Sequence, residues 1–134
     1  MVDEILKFTK ITLLVQLIYG ILFAILYWLP AVTLPLFGIA VNDGTSALIQ
    51  FLGCALAALS VSTILSLRKT SWAEVQIKMA TEIVWQCTLI VFAIYYLPII
   101  GVSLVGSIVM LISDIILTVL AFLQQEDIIK PLTK

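Results

Sequence analysis

All seven lysines and arginines of this chain fall on one side of a four-segment hydrophobic pattern. The apolar runs are Ile11–Leu29, Ala47–Leu67, Met79–Leu97 and Val102–Leu123. Each matches the ~20 residues that a helix needs to cross a ~30 Å hydrocarbon core at 1.5 Å per residue. Lys7 and Lys10 precede the first run, Arg68, Lys69 and Lys78 separate the second from the third, and Lys130 and Lys134 follow the fourth. The connections 30–46 and 98–101 contain no basic residue. The positive-inside bias therefore predicts an all-α integral membrane four-helix bundle of up-down topology, with both termini and the middle loop cytoplasmic. The expected helices, 8–29, 46–67, 72–97 and 102–125, form a single transmembrane domain over residues 1–134.

Composition agrees. The chain is 63% hydrophobic and 11% charged, far from the roughly half apolar and quarter charged balance of soluble domains. A net charge of −1 with no basic patch beyond short segments gives no basis for nucleic-acid binding. The first run is not a signal peptide by pattern, because Asp3 and Glu4 precede it and residues 28–33 lack an A-x-A cleavage site. The expectation is a multi-pass protein surrounded by the lipid bilayer, in a prokaryote the cell membrane.

Along the chain, Tyr27 and Trp28 mark the outer interface and Pro30 stops the first helix. Ala31–Val41 is too short to span and too apolar for water, so it should lie along the outer surface or fold over the bundle mouth. Asn42 to Ser46 supply turn and N-cap chemistry for the second helix, Asp43 being the expected cap. Trp72 marks the inner interface, and Glu74–Lys78 and Lys78–Glu82 are i,i+4 pairs. Residues 98–101 are so few that the third and fourth helices should be antiparallel neighbours.

At 100° per residue, Ser103, Ser107, Met110, Asp114, Thr118, Ala121 and Gln125 share one stripe of the fourth helix. Thr9, Thr12, Gln16, Gly20, Phe23 and Tyr27 do so on the first. The second carries Cys54, Ala58, Ser62 and Ser66 as a small-xxx-small row that suits close helix approach. The third has Glu74, Lys78, Thr81 and Trp85 on one face, with Glu82 and Gln86 on its flank. Such stripes describe a polar interior turned from lipid, and simple packing explains most of their Ser, Thr and Gly residues.

Counting inward, Gln16 lies about 20 Å below Leu29, Gln86 about 18 Å below Pro98 and Asp114 about 20 Å below Gly101. These three share a layer, with Ser60 at the same general depth and Glu82 one turn further in. A carboxylate at the bilayer centre costs roughly 2.5–3.5 kcal/mol on insertion scales, so it faces protein or water and finds a partner. Lys78 can neutralise Glu82 as an ion pair. Asp114 has no cation in view, and is either protonated or paired with a group from outside the chain, with Gln16 and Gln86 as hydrogen-bond partners. Two roles stand open for this cluster of Asp114, Glu82, Gln86 and Gln16. It is a clasp between helices, or it binds a solute or handles protons.

Other chemistry is disfavoured. The chain has no histidine, the commonest metal ligand and general base. Cys54 and Cys87 are not a C-x-x-C pair and read as inert buried thiols. No phosphate loop, nucleophile elbow or acidic metal motif appears, so no enzyme activity, cofactor or metal site is expected.

Leu36-Phe37-Gly38 in the first loop, then Leu48, Phe51-Leu52-Gly53, Ala55-Leu56-Ala57-Ala58 and the closing Leu67-Arg68-Lys69, give an order of features that resembles the small DoxX-like four-helix membrane proteins. The likeness covers the first half of the chain. It implies a four-helix membrane bundle and an association with a respiratory or redox complex, and it transfers no functional residue. Two function classes follow. The favoured one is a non-catalytic accessory or structural subunit of a larger membrane complex, packing on other subunits or on itself. The alternative is a homo-oligomeric proton-coupled transporter or channel that uses Asp114 and Glu82.

Overall fold

The computed structural model describes residues 3–101 and 105–130. Val102 and Ser103, which open the fourth run and its stripe, and Pro131 and Lys134 lie outside the described residues. The regular elements are helical: α1 (Lys7–Tyr27), α2 (Pro30–Leu36), α3 (Asp43–Leu67), α4 (Trp72–Ile100) and α5 (Val105–Gln125). Four of them, α1, α3, the Trp72–Pro98 stretch of α4, and α5, are long and apolar enough to cross a membrane.

The connection 30–46 holds a helix that the sequence reading lacks. Pro30 starts α2 at a position where its missing N–H costs nothing. The helix closes when Gly38 N–H donates to Pro35 O and Ile39 N–H to Leu34 O, a reversal that places Gly38 at φ 68°. Thr33 and Leu34 are buried, and the Thr33 hydroxyl donates to Leu26 O. The segment is thus packed on α1 and α3. Asn42, not Asp43, caps α3: its side chain accepts from Thr45 N–H at 2.9 Å while the Thr45 hydroxyl accepts from Asn42 N–H at 3.1 Å. Asp43 sits in the first turn, where its charge complements the helix dipole. Pro98 does not stop α4, which continues to Ile100 before Gly101 turns away at φ 81°.

Cross-helix pairs give the register. Thr9 meets Gln125 and Gln16 meets Thr118, so α1 and α5 run in opposite directions along their contact. Gln76 meets Glu126 and Gln86 meets Asp114, which does the same for α4 and α5. α1 and α3 approach closely at two glycines. A Cβ on Gly53 would stand 2.8 Å from Trp28 Cδ1 and 3.2 Å from Ala24 O, and one on Gly20 would collide with the Ser60 hydroxyl. The buried residues of α3 are accordingly Gly53, Ser60, Thr63 and Ser66, and of the expected Cys54, Ala58, Ser62 and Ser66 row only Ser66 is among them. Cys54 and Cys87 are free and exposed rather than buried. α3 and α4 touch only sparsely.

One end of the bundle is clamped. Trp72 is fully buried with Leu13, Val75, Met79 and Ala121, its ring set edge-on to Phe122 at 5.4 Å. Its indole N–H donates to Glu126 at 2.6 Å, so it is a core residue and not the interfacial marker expected of it. The chain before α1 closes this base through Trp72 N–H to Asp3 O (2.8 Å) and Ile5 N–H to Thr70 O (3.2 Å). Away from the base the usual soluble pattern inverts: Thr12, Gln16, Thr63, Gln86 and Thr118 are buried, while Ile18, Leu48, Phe51, Ile77 and Val84 are exposed.

Candidate functional site

The inverted interior concentrates its polar atoms in one layer. The Lys78 ammonium donates to Gln16 Oε1 at 2.5 Å and stands 3.5 Å from the Glu82 carboxylate. The Gln16 amide donates to the Thr118 hydroxyl at 2.8 Å, which in turn donates to Asp114 O at 2.7 Å. The Gln86 amide donates to Asp114 Oδ2 at 2.5 Å. A continuous set of contacts therefore runs Glu82, Lys78, Gln16, Thr118, Asp114, Gln86, binding α4 to α1 and α5. The four residues singled out from sequence all belong to it. Gln16, however, serves Lys78 and Thr118 and makes no bond to the Asp114 carboxylate. Glu74 pairs with Lys69 at 2.8 Å, on the surface, and not with Lys78.

Why these side chains meet follows from helix periodicity. Gln16 continues the buried Thr9–Thr12 line of α1, and Asp114 and Thr118 are one turn apart on the α5 stripe. On α4 the buried face is Val75, Met79, Glu82 and Gln86. Of the expected face Glu74, Lys78, Thr81 and Trp85, Glu74 and Thr81 are exposed while Lys78 and Trp85 are half-buried.

Above this layer lies a cavity of about 280 Å³. Its floor is Gln16, Glu82, Gln86 and Asp114, and it follows α1 from Gln16 to Tyr27, roughly 16 Å at 1.5 Å per residue. Ser60 and Thr63 line it from α3, and Ser107 and Met110 from α5. Its walls are apolar: Tyr19 and Phe23 of α1 and Trp85, Phe92 and Tyr96 of α4 line it together with Leu52, Leu56 and Leu59 of α3. Phe37, just past α2, completes the lining near Tyr27. Asp114 Oδ1 and Gln86 Oε1 are buried without a hydrogen-bond partner, and Glu82 Oε2 has the Lys78 ammonium at 3.5 Å. All three residues are at least nine-tenths buried, at 8%, 2% and 9% exposure. A buried acceptor without a donor is costly, and such atoms mark places where a ligand, water or proton belongs. Among the described residues no group of three His, Cys, Asp or Glu side chains is arranged to hold a metal ion.

Of the aromatic lining, Phe23, Tyr27 and Trp85 lay on stripes read from the sequence, while Tyr19, Phe37, Phe92 and Tyr96 were missed. Trp85, Phe92 and Tyr96 recur at helical spacing on the flank of α4 that carries Glu82 and Leu89, a signal visible in principle.

Comparison with known proteins returns no family model that matches this chain, and no curated protein and no solved structure does so either.

Proposed function

We propose that this chain is a multi-pass integral membrane protein whose bundle interior is a binding site for a small solute, and that it carries out no catalytic step of its own. The observation that supports this is one elongated, apolar-walled cavity whose lining brings together Gln16, Glu82, Gln86 and Asp114. A clasp between helices needs its polar groups satisfied by each other. Here the bond from the Gln86 amide to Asp114 Oδ2 leaves Gln86 Oε1 and Asp114 Oδ1 buried without a partner. Pockets with apolar walls and a few convergent polar atoms are the usual form of small-molecule sites. The proposed orientation is up-down, with both termini and the α3–α4 connection cytoplasmic, since the basic residues that flank the long helices then lie inside. The cavity then extends from mid-membrane toward the outer face, as a transporter or carrier requires.

The test is saturable solute binding and uptake by proteoliposomes of the purified protein. Ala93→Trp, which fills the cavity from α4, should reduce both at least fivefold while leaving the melting temperature within a few degrees. Wild-type protein without saturable binding, or a variant that binds as well as wild type, would overturn the reading.

A second reading, the accessory subunit of a larger membrane complex with the redox association implied by the DoxX-like resemblance, is favoured by a different observation. Val109, Ile112 and Ile116 leave an aliphatic flank of α5 exposed, and Ile77, Val84 and Val91 do so on α4. Co-purification of another membrane polypeptide that is lost on replacing these positions by Ala would support it.

A further inference from the structure

We propose that the occupant of the cavity is a lipid of the outer leaflet, one hydrocarbon chain of which enters sideways between α3 and α4 and lies along the cavity with its methyl end at the polar floor. This rests on the binding-site reading above, orientation included, and adds the ligand's chemical class.

The floor offers an occupant little to bond. Asp114 Oδ1 and Gln86 Oε1 present essentially no accessible surface, and Glu82 Oε2 faces the Lys78 ammonium. Gln16 spends both ends of its amide on Lys78 and Thr118. The Ser60 and Thr63 hydroxyls donate to Leu56 O at 2.8 Å and Leu59 O at 2.9 Å of their own helix. What remains is the apolar wall, above all Leu52, Leu56 and Leu59 of α3 with Trp85, Leu89 and Phe92 of α4. Such a surface holds hydrocarbon by many small dispersion contacts, and it gives water or a polar solute too few partners.

The helix contacts show where a chain can enter. α1 packs on α3 and α5, and α4 packs on α5, whereas α3 and α4 touch only sparsely. The seam between α3 and α4 is thus the weakly closed side of the cavity, and in a four-span bundle that side borders the bilayer.

Length and polarity along the seam select the leaflet. The cavity follows α1 from Gln16 to Tyr27, roughly 16 Å, which is half of a ~30 Å hydrocarbon core and so the depth of one leaflet's chains. Its volume over that length gives a mean section of about 18 Å², room for a single chain. On the other side of Glu82 the same seam carries Ser62, Ser66, Lys69, Glu74, Lys78 and Thr81 around a second groove. A chain of the inner leaflet would lie against those polar and charged groups, whereas a chain of the outer leaflet meets the apolar half. Tyr27 and Tyr96 line the far end of the cavity, the place where amphipathic rings meet headgroups.

The experiment uses the full chain in phosphatidylcholine nanodiscs containing a phosphatidylcholine with a photoreactive diazirine at the end of one acyl chain, and maps the adducts by mass spectrometry. Adducts at Leu59 and Met110 should saturate with the mole fraction of probe. In Ala93→Trp they should fall at least fivefold, while adducts at the exposed Val84 and Ile116 stay within twofold. Should A93W fail to fold, Leu56→Trp decides by the same measure from α3. Moving the diazirine next to the headgroup should shift the adducts to Phe92 and Tyr96. Adducts confined to the exposed faces, cavity adducts that neither variant reduces, or the reverse order of the two probes overturns the lipid assignment. Saturable uptake of a soluble solute by the same preparation would then leave the binding-site reading standing, and its absence would overturn that reading as well.

Discussion

Lys78 is held more closely by Gln16 of the neighbouring helix than by Glu82 of its own: the ammonium is 2.5 Å from the Gln16 carbonyl oxygen and 3.5 Å from the carboxylate. The positive charge is therefore positioned by α1, and the i,i+4 pair along α4 is the looser half of the arrangement. Gln16 becomes the pivot of the polar layer, since its other end donates to Thr118 on α5.

Removing the Lys78 charge should accordingly cost more than one exposed ion pair. Lys78→Met leaves the Glu82 carboxylate buried without a cation, for which about 3–5 kcal/mol is the usual penalty. The double variant K78M/E82Q should recover at least half of that loss, because no charge is then left alone. Thermal unfolding in detergent checks both. A double variant no more stable than K78M would show that Lys78 matters for packing along its stem and not for charge.

Trp72 should divide into two separable contributions. Trp72→Ala empties a fully buried site and should destabilise by about 3–5 kcal/mol. Trp72→Phe keeps a ring against Phe122 but loses the indole bond to the Glu126 carboxylate, about 1.5–3 kcal/mol for a hydrogen bond to a charged group. Unfolding midpoints for the two variants, with Glu126→Gln as a third, place the boundary between them.

The α1–α3 contact should be intolerant of bulk at Gly53. Its Cβ would meet Trp28 at 2.8 Å and a backbone carbonyl at 3.2 Å, and the carbonyl cannot yield cheaply. Gly53→Val should cost about 1–3 kcal/mol as overpacking, against less than about 0.5 kcal/mol for Cys54→Val on the exposed side of the same turn. Equal effects of the two substitutions would mean that the helices are further apart than described.

The orientation makes a labelling prediction. In a C54A/C87A background, Val41→Cys should react with an impermeant thiol reagent on intact cells, and Lys130→Cys only after the membrane is opened. The reverse pattern would invert the proposed topology.

How much of this was legible in the sequence differs by helix, for physical reasons. The α5 stripe could be read because Ser107, Asp114, Thr118 and Gln125 are polar islands in an aliphatic helix, so only one face could turn inward. On α3, small residues occur on every side, including Cys54, Ala55, Ala57, Ala58 and Ser60, and several rows at spacing four exist. Which row is buried depends on where Gly20 and Trp28 of α1 lie, and no local pattern holds that information. Helix α2 was missed because prolines at 30 and 35 argue against helix, although the first suits an N-terminal turn and the helix is too short for the second to break much. Pro98 misled in the same way, since a proline in the last turn of α4 forfeits a single backbone donor. The acids and amides of the cavity floor were visible in the sequence, whereas the shape of the cavity is a property of four helices together.

The side chain of Gln125 bears on how the protein comes to be assembled. It accepts from Leu6 N–H and the Thr9 hydroxyl, both at 3.0 Å, and donates to Glu4 O at 2.6 Å, linking positions 116 to 121 residues apart. A chain emerging from the ribosome inserts α1 long before Gln125 exists. Until α5 has crossed the bilayer, the beginning of the protein has no partner for these groups, and the cavity lacks the wall that carries Asp114. Contacts at such separation form late because loop closure must come first. On the proposed membrane reading insertion and completion are thus distinct events: the cavity is incomplete until α5 is in place, and Gln125 at its end joins the first helix to the last.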